Sequence, residues 1–492
     1  MRFAPAGAWA RKGLSGDRAV LLCALALTLW RSLAPIIEQQ LNSDEALIAL
    51  MAKHLAEGRA FPLYLYGLPY IIGIESWLAA PFFLAGGATV AMLKVALLLE
   101  NIAIAWLLVM ALQRDAGLRP GFALIAALPF VLAPASVSHL HLMDAGGTHP
   151  EPLLFILLLW ILRDRPLLFG AVLALGVLNR PFVGYGAAAL LVVQWREGSL
   201  LRLDTWKFWA IAAIGALAVF DLFSSLLVWS SPQGPGTSFD PTIPGATAAS
   251  VAFVCVDAST IPRGITNFAS DVLPFMLGGT ATDARLPYGA GAAMALAAGR
   301  IFWISRTVRH NTPRRNDYLV YLLVAGVLSA FVYVAARCGA VNIGTMRYAL
   351  VTPFAFVGGL GLLFRMEPSR HVRHVLAAIV CGWGLWQFAH HAQILARSVL
   401  DPPLNSRLAL ASYLERQGVR YARADYWDAQ VVTFLTEERV IVASETHWRI
   451  SSYQDEVLVH AAEALTIRHR PCQTSGNEAV AGIYWVCSPT EP

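Results

Sequence analysis

The residues best suited to chemistry in this 492-residue chain are ionisable groups beside long apolar runs, where a charge is costly unless it is paired or used. Asn42-Ser43-Asp44-Glu45 sets two carboxylates side by side just after an apolar run from Ala19 to about Ile37. Farther along stand Glu75, the segment Asp144-Ala145-Gly146-Gly147-Thr148-His149-Pro150-Glu151, and two arginines at the edges of apolar stretches, Arg180 and Arg347. A carboxylate so placed can take a proton, and an arginine can stabilise an anion. Glu75, His149 and Glu151 have the donor types for a divalent metal, and Asp144, His149 and Glu151 for orienting a substrate. Each has a plainer reading. Acids in a first helical turn complement the helix dipole. Arginines at a membrane boundary snorkel or pair with a carboxylate. Histidine is as readily a hydrogen-bonded structural residue as a ligand.

The elements that must position these groups are membrane helices. The chain is 57% hydrophobic and 14% charged, with a mean hydropathy of +0.56, so water is not its main solvent. Its formal charge of +5 is spread over short clusters between apolar runs, a pattern that orients a membrane protein and does not bind nucleic acid. The first apolar run, behind Arg2, Arg11, Lys12 and Arg18, reads as a signal anchor leaving the cytoplasm. Further candidate spans cover roughly 88–112, 119–139, 151–163, 166–179, 182–195, 206–230, 287–306, 317–336, 347–364 and 374–393, giving about eleven in all. The positive-inside rule assigns the arginine clusters between alternate spans to the cytoplasm. Segments 38–87, 140–150, 231–286 and 337–346, and everything after about residue 396, then lie outside. The predicted organisation is a membrane domain over 1–395 and an extracytoplasmic α/β domain over 396–492. In that tail Val419–Ala424 and Val440–Ser444 read as strands around a helix containing Trp427, Val431 and Leu435. It has no Gly-rich nucleotide loop, and the chain shows no two-halves repeat of the kind many transporters carry. Cys23, Cys255, Cys338 and Cys381 read as packing residues, whereas Cys472 and Cys487 are spaced to close a disulfide loop in an oxidising compartment.

The first outer segment carries the most specific pattern. Leu47, Ile48, Met51 and Leu55 recur at helical spacing with Lys53, His54 and Glu57 opposite, and Gly58 ends the helix. This predicts an amphipathic helix along the membrane surface. Tyr66-Gly67-Leu68-Pro69-Tyr70 and Gly73-Ile74-Glu75-Ser76-Trp77 follow. An acidic pair outside the first span, a surface helix, this turn and a glutamate before the next apolar segment resemble the GT-C superfamily of membrane glycosyltransferases. Its best-known members of this form are the protein O-mannosyltransferases and the aminoarabinose transferases, and the pattern is similar to bacterial glycosyltransferases of the family-39 type. Later segments fit the same pattern: the 144–151 loop, Asn179-Arg180-Pro181, Thr345-Met346-Arg347-Tyr348 with Pro353, and the tail's Asp425-Tyr426-Trp427-Asp428-Ala429. The sequence departs from the aminoarabinose transferases at Gly73-Ile74-Glu75-Ser76, where those enzymes carry Glu-Lys-Pro-Pro.

The resemblance implies an all-α polytopic fold and transfer of a sugar, with inversion, from a polyprenyl-phosphate donor to a lipid, glycan or protein acceptor on the outer face of the membrane. It implies Asp44 as the catalytic carboxylate and Glu45 as its neighbour in the site, with a further acid from the second outer loop, Asp144 or Glu151. For the leaving phosphate the sequence offers Arg347 and Arg180, then Arg337, Lys53 or a divalent metal. Tyr64, Tyr66, Tyr70 and Trp77 can stack on sugar rings or form an aromatic belt. The Gly- and Pro-rich segment from Ser231 to Tyr288 reads as a mobile lid. Membrane lipids surround the protein, and a bacterial cytoplasmic membrane with the tail in the periplasm is the expected setting. A transporter or flippase for a lipid-linked sugar, or an inactive scaffold of an envelope-polysaccharide system, remains open.

Overall fold

A computed structural model describes residues 14–146, 150–230, 256–279, 299–300, 316–338, 340–472 and 480–488. The order opens with α1 (Leu14–Glu38), α2 (Ser43–Ala56), the hairpin β1 (Tyr64–Leu65) and β2 (Leu68–Ile72), α3 (Ile74–Gly86), α4 (Val90–Arg114) and α5 (Pro120–Val131). Then come the short α6 (Ala135–Val137), which runs into a π turn Ser138–Leu142, α7 (Glu151–Ile161), α8 (Pro166–Asn179), α9 (Gly184–Arg196) and α10 (Leu203–Ser230). The later helices are α11 (Ile261–Asn267), α12 (Leu273–Met276), α13 (Asp317–Ala335), a 3₁₀ turn Ile343–Ala349, α14 (Pro353–Met366) and α15 (Arg370–Leu400). The tail adds α16 (Ser406–Arg416), β3 (Tyr421–Ala424), α17 (Tyr426–Leu435), β4 (Ile441–Ser444), α18 (Ser451–Val459), β5 (Leu465–Arg468) and β6 (Trp485–Cys487).

Among the described residues five helices are long and apolar enough to cross a bilayer, which makes the chain a multi-pass membrane protein; they lie in α1, α4, α10, α13 and α15. Two expected spans are broken. The 119–139 run bends by 59° between α5 and Ala135–Leu142, and the 347–364 run bends by 60° between Ile343–Ala349 and α14. The first break follows Leu132, which leaves helical geometry just ahead of Pro134. The second precedes Pro353 at the start of α14, where the missing N–H costs nothing. The expected span at 287–306 falls almost wholly outside the described residues.

The tail forms a four-stranded sheet of order β4-β3-β5-β6, with β3 parallel to β4 and β5, and β5 antiparallel to β6. The predicted strand–helix–strand unit is β3–α17–β4. All four residues of β4 are buried, because its alternating side chains serve two cores. Val442 joins Leu410, Ala422 and Val432 inside the tail, whereas Ile441 and Ala443 join α2, α3, Val431 and Phe434 in a core that also takes in Leu65, Tyr66, Met143 and Ala145. Phe83 of α3 stacks on Phe434 with ring centroids 6.2 Å apart. Cys472 and Cys487 are disulfide-bonded. Cys338 is also disulfide-bonded and so is not the packing residue that the sequence suggested; Cys255 lies outside the described residues.

Two expectations about the outer segments change. Helix α2 is buried at nearly every position and is not a half-exposed surface helix. Its polar face is covered by the tail, where Glu438 meets Lys53, His54 and Arg59. Periodicity shows that a helix has a polar face, not what covers it. Much of the expected lid lies outside the described residues, but its 256–279 portion is packed in place. Val272, Leu273 and Met276 are buried there, and Trp383 Nε1 of α15 donates to the Leu277 carbonyl at 2.9 Å.

Candidate active site

Asn42 opens α2 with a reciprocal cap: its Oδ1 accepts from the Glu45 N–H at 3.0 Å, and Glu45 Oε2 accepts from the Asn42 N–H at 3.2 Å. The turn sends Glu45 inward and leaves the Asp44 side chain 22% exposed. Glu45 Oε1 accepts from Lys94 Nζ and from the Ala145 N–H at 3.1 Å, while Lys94 also donates to the Met143 carbonyl at 2.5 Å. Glu45, which the resemblance puts beside the catalytic carboxylate, thereby ties the 143–145 segment to α2 and to Lys94. A lysine inside the apolar run of α4 needs such a partner, and that is the signal by which Lys94, not among the sequence candidates, could have been found.

The same loop passes close under Asp44. Gly146 has φ +88°, and a Cβ there would fall 2.3 Å from the Asp44 carbonyl oxygen, so only glycine fits. Its N–H donates to Glu75 Oε1 at 3.1 Å, and its carbonyl accepts from Arg180 Nη2 at 3.0 Å. Two predicted site residues thus grip Gly146 from opposite sides. Glu151 stands against Glu75, with Glu100 facing both and Arg180 the facing cation. Glu100, whose position within the second span carried no motif, belongs to this buried group.

Asp44 is held by two donors from distant parts of the chain. The Tyr426 hydroxyl of α17 donates to Oδ1 at 2.5 Å, and Arg347 Nη1 of the 3₁₀ turn donates to Oδ2 at 3.4 Å. Burial first, and the Asp44 charge second, raise the pKa of the Tyr426 phenol, so it remains a protonated donor. Asp144 Oδ1 accepts from Asn42 Nδ2 at 2.7 Å and faces Arg347, which places Asp144 on the Asp44 side and Glu151 deeper. Arg337 and Arg347 flank the Tyr348 ring at 4.1 Å and 5.2 Å from its centroid. Tyr70 lies within the field of Arg449, Arg180 and Tyr348.

Other candidates go elsewhere. Lys53, offered for the phosphate, pairs with Glu438 and Glu57. Tyr66 is buried, 2.9 Å from His54 Nδ1; Tyr64 donates to the Phe223 carbonyl; and Trp77 is exposed, donating to the Pro62 carbonyl as a boundary aromatic would. His149 lies outside the described residues, and among the described residues no three His, Cys, Asp or Glu side chains converge as metal ligands. The metal expectation on Glu75, His149 and Glu151 therefore has no complete ligand set among them. Asn42, Lys94 and Tyr426 are the members that motif reading passed over. What the arrangement offers is a partly exposed carboxylate facing guanidinium groups at the junction of helices, connecting loops and tail. One group can take a proton while the others meet developing negative charge.

No family model matches the sequence. No curated protein matches it. Among solved structures the chain is similar to ArnT from Cupriavidus metallidurans bound to undecaprenyl phosphate, at 12% identity and a TM-score of 0.44, covering 95% of this chain and 98% of that one. It is also similar to the Archaeoglobus fulgidus oligosaccharyltransferase in the apo form, at 13% identity and a TM-score of 0.47, covering 94% and 70%. A third similarity is to the mycobacterial arabinofuranosyltransferase AftD, at 16% identity and a TM-score of 0.46, covering 98% and 36%.

Proposed function

We propose that this membrane protein is a GT-C-type glycosyltransferase that moves a sugar from a polyprenyl-phosphate donor to a hydroxyl of a lipid, glycan or protein acceptor. The observation that carries the reading is Asp44, fixed by Tyr426 on one oxygen and by Arg347 on the other. Asp44 takes the proton of the acceptor hydroxyl as its oxygen attacks the anomeric carbon. The bond from that carbon to the phosphate oxygen breaks on the opposite face, inverting the centre. The phosphate leaves with its negative charge met by Arg347, with Arg337 beside it across Tyr348. At 3.4 Å the Arg347–Asp44 contact is long for a charge-assisted bond, so a donor phosphate displaces it at small cost. Arg180 shapes the Gly146 turn and faces the buried acids, so it acts at a step removed from the phosphate.

The reading sets the site on the outer face of a bacterial cytoplasmic membrane, with about eleven spans, a cytoplasmic N-terminus and the tail beyond about residue 396 in the periplasm. Disulfides at Cys338 and at Cys472–Cys487 support it, because both fall in segments that the arginine distribution puts outside.

The test is release of polyprenyl phosphate from a panel of labelled polyprenyl-phosphate sugars by the purified protein in lipid, beside Asp44→Asn. Release by the wild type, lowered in Asp44→Asn to a small residual single-turnover rate with donor binding kept, is the expected result. Undiminished release by Asp44→Asn would remove the base assignment. Donor binding or translocation without release across the panel would favour the transport or scaffold readings.

A further inference from the structure

Tyr426 belongs to the tail, 382 residues beyond the carboxylate that it touches. The contact is built rather than incidental. Ser43, the neighbour of Asp44, donates its hydroxyl to the Tyr426 carbonyl and lies 2.9 Å from Gln430 Oε1, one turn along the same helix. Asp425 caps that helix by accepting from the Trp427 N–H at 3.0 Å. The Tyr426 ring is walled by His447 at 5.6 Å between centroids and by the Arg449 guanidinium at 5.6 Å. Arg449 is itself seated on the outer hairpin, where a Cβ on Gly67, at φ +70°, would come within 2.9 Å of its Cα. The phenol is thereby fixed in position before it meets Asp44.

We propose that Tyr426 is a positioning residue for the transfer reaction, holding the Asp44 carboxylate in its productive orientation so that the site is complete only when the tail is docked. This rests on the transferase reading. Asp44 stands in the first turn of α2 with a side chain that can rotate about its last bond. Arg347 approaches one oxygen only, and a guanidinium prefers to engage both. Tyr426 holds the second oxygen away from that bidentate arrangement, which leaves lone pairs free for an acceptor hydroxyl. Loss of the phenol oxygen lets the carboxylate swing towards Arg347, and a displacement of about 1 Å at a reacting group costs up to about 100-fold in rate.

The experiment uses the full chain in lipid and the same polyprenyl-phosphate release assay, with Asp44→Asn, Tyr426→Phe and the double variant followed as single turnovers with protein in excess. Tyr426→Phe keeps the ring and its packing. The expected result is a fall in turnover of about 10- to 100-fold with donor affinity and melting temperature unchanged. Placed on Asp44→Asn, the same change produces no further loss, because its effect runs through the carboxylate. Gln430→Leu, which weakens the docking contact one turn along the helix, lowers turnover in proportion to the fraction of tail undocked, read as protease sensitivity of residues 406–488 on the same preparation. Full activity of Tyr426→Phe, an equal loss on the Asp44→Asn background, or wild-type turnover in a Gln430→Leu preparation whose tail is undocked would overturn the positioning role. If Asp44→Asn itself retains wild-type turnover, the transferase base assignment fails instead.

Discussion

At the scale of single residues, the site separates groups by what they touch. Adjacent acids in one helical turn take opposite parts: Asp44 faces Arg347 and Tyr426, while Glu45 is buried against Lys94. Leaving one member of a buried pair without its partner costs roughly 3 to 5 kcal/mol. Lys94→Met is therefore expected to lower the melting temperature strongly, and Glu45→Gln on that background to recover part of the loss, as a thermal-shift series on the detergent-purified protein would show. Arg347 faces the reaction instead. Arg347→Lys keeps the charge but loses the planar fork, and turnover on any donor that the wild type accepts should fall about 100-fold or more while the fold is retained. A fall no greater than that of Arg337→Lys would assign the phosphate to both arginines equally.

At the scale of elements, the loop after Leu142 matters because Gly146 lets it pass close to α2. Gly146→Ala places a methyl group 2.3 Å from the Asp44 carbonyl oxygen in a left-handed backbone, with no flexible side chain to give way. The loop has to shift, and the hydrogen bonds to Glu75 and Arg180 shift with it. Turnover should fall by at least about 10-fold, more than any fall in donor affinity, since what moves is the carboxylate and not the phosphate site. Donor titration and single-turnover release on the same preparation check this. The broken helices act in the same way. The 60° bend turns Ile343–Ala349 away from the axis of α14, and from that turn Arg347 reaches Asp44, 303 positions away.

At the scale of the whole molecule, the tail is joined to the 41–97 and 143–145 segments by a shared apolar core and by hydrogen bonds and ion pairs, of which those at Glu438 involve an ionisable carboxyl. Glu438 accepts from Lys53, His54, Arg59 and Tyr453. Burial alone would raise its pKa, but these four donors outweigh that and hold its carboxyl well below the usual range. The sign follows from linkage. A carboxyl whose folded pKa lies below its unfolded value of about 4.3 contributes its full stability above that pH and loses it as the pH falls towards the folded value. Docking of the tail should thus be insensitive to pH from about 8 down to 5 and weaken below about 4, read as growing protease sensitivity of residues 406–488. Glu438→Gln should weaken docking at neutral pH and flatten the acid limb. An unchanged acid limb in that variant would place the dependence on other carboxyls.

Composition and local pattern sufficed for the membrane class, the helices at α1, α4, α10, α13 and α15, the strand–helix–strand unit of the tail and the disulfide at Cys472–Cys487, while the resemblance directed attention to Asp44, Glu75, Asp144, Arg180 and Arg347 as candidates. Apolar run length, arginine distribution and turn chemistry are properties of neighbouring residues, so they can be read along the chain. Tertiary structure alone decided which of these groups meet. It paired Glu45 with Lys94 and Lys53 with Glu438, covered the polar face of α2 with the tail, drew Glu100 to Glu75 and Glu151, and brought Tyr426 to Asp44. Those contacts join residues hundreds of positions apart across helix breaks and a shared core, and no periodicity within either segment encodes its partner.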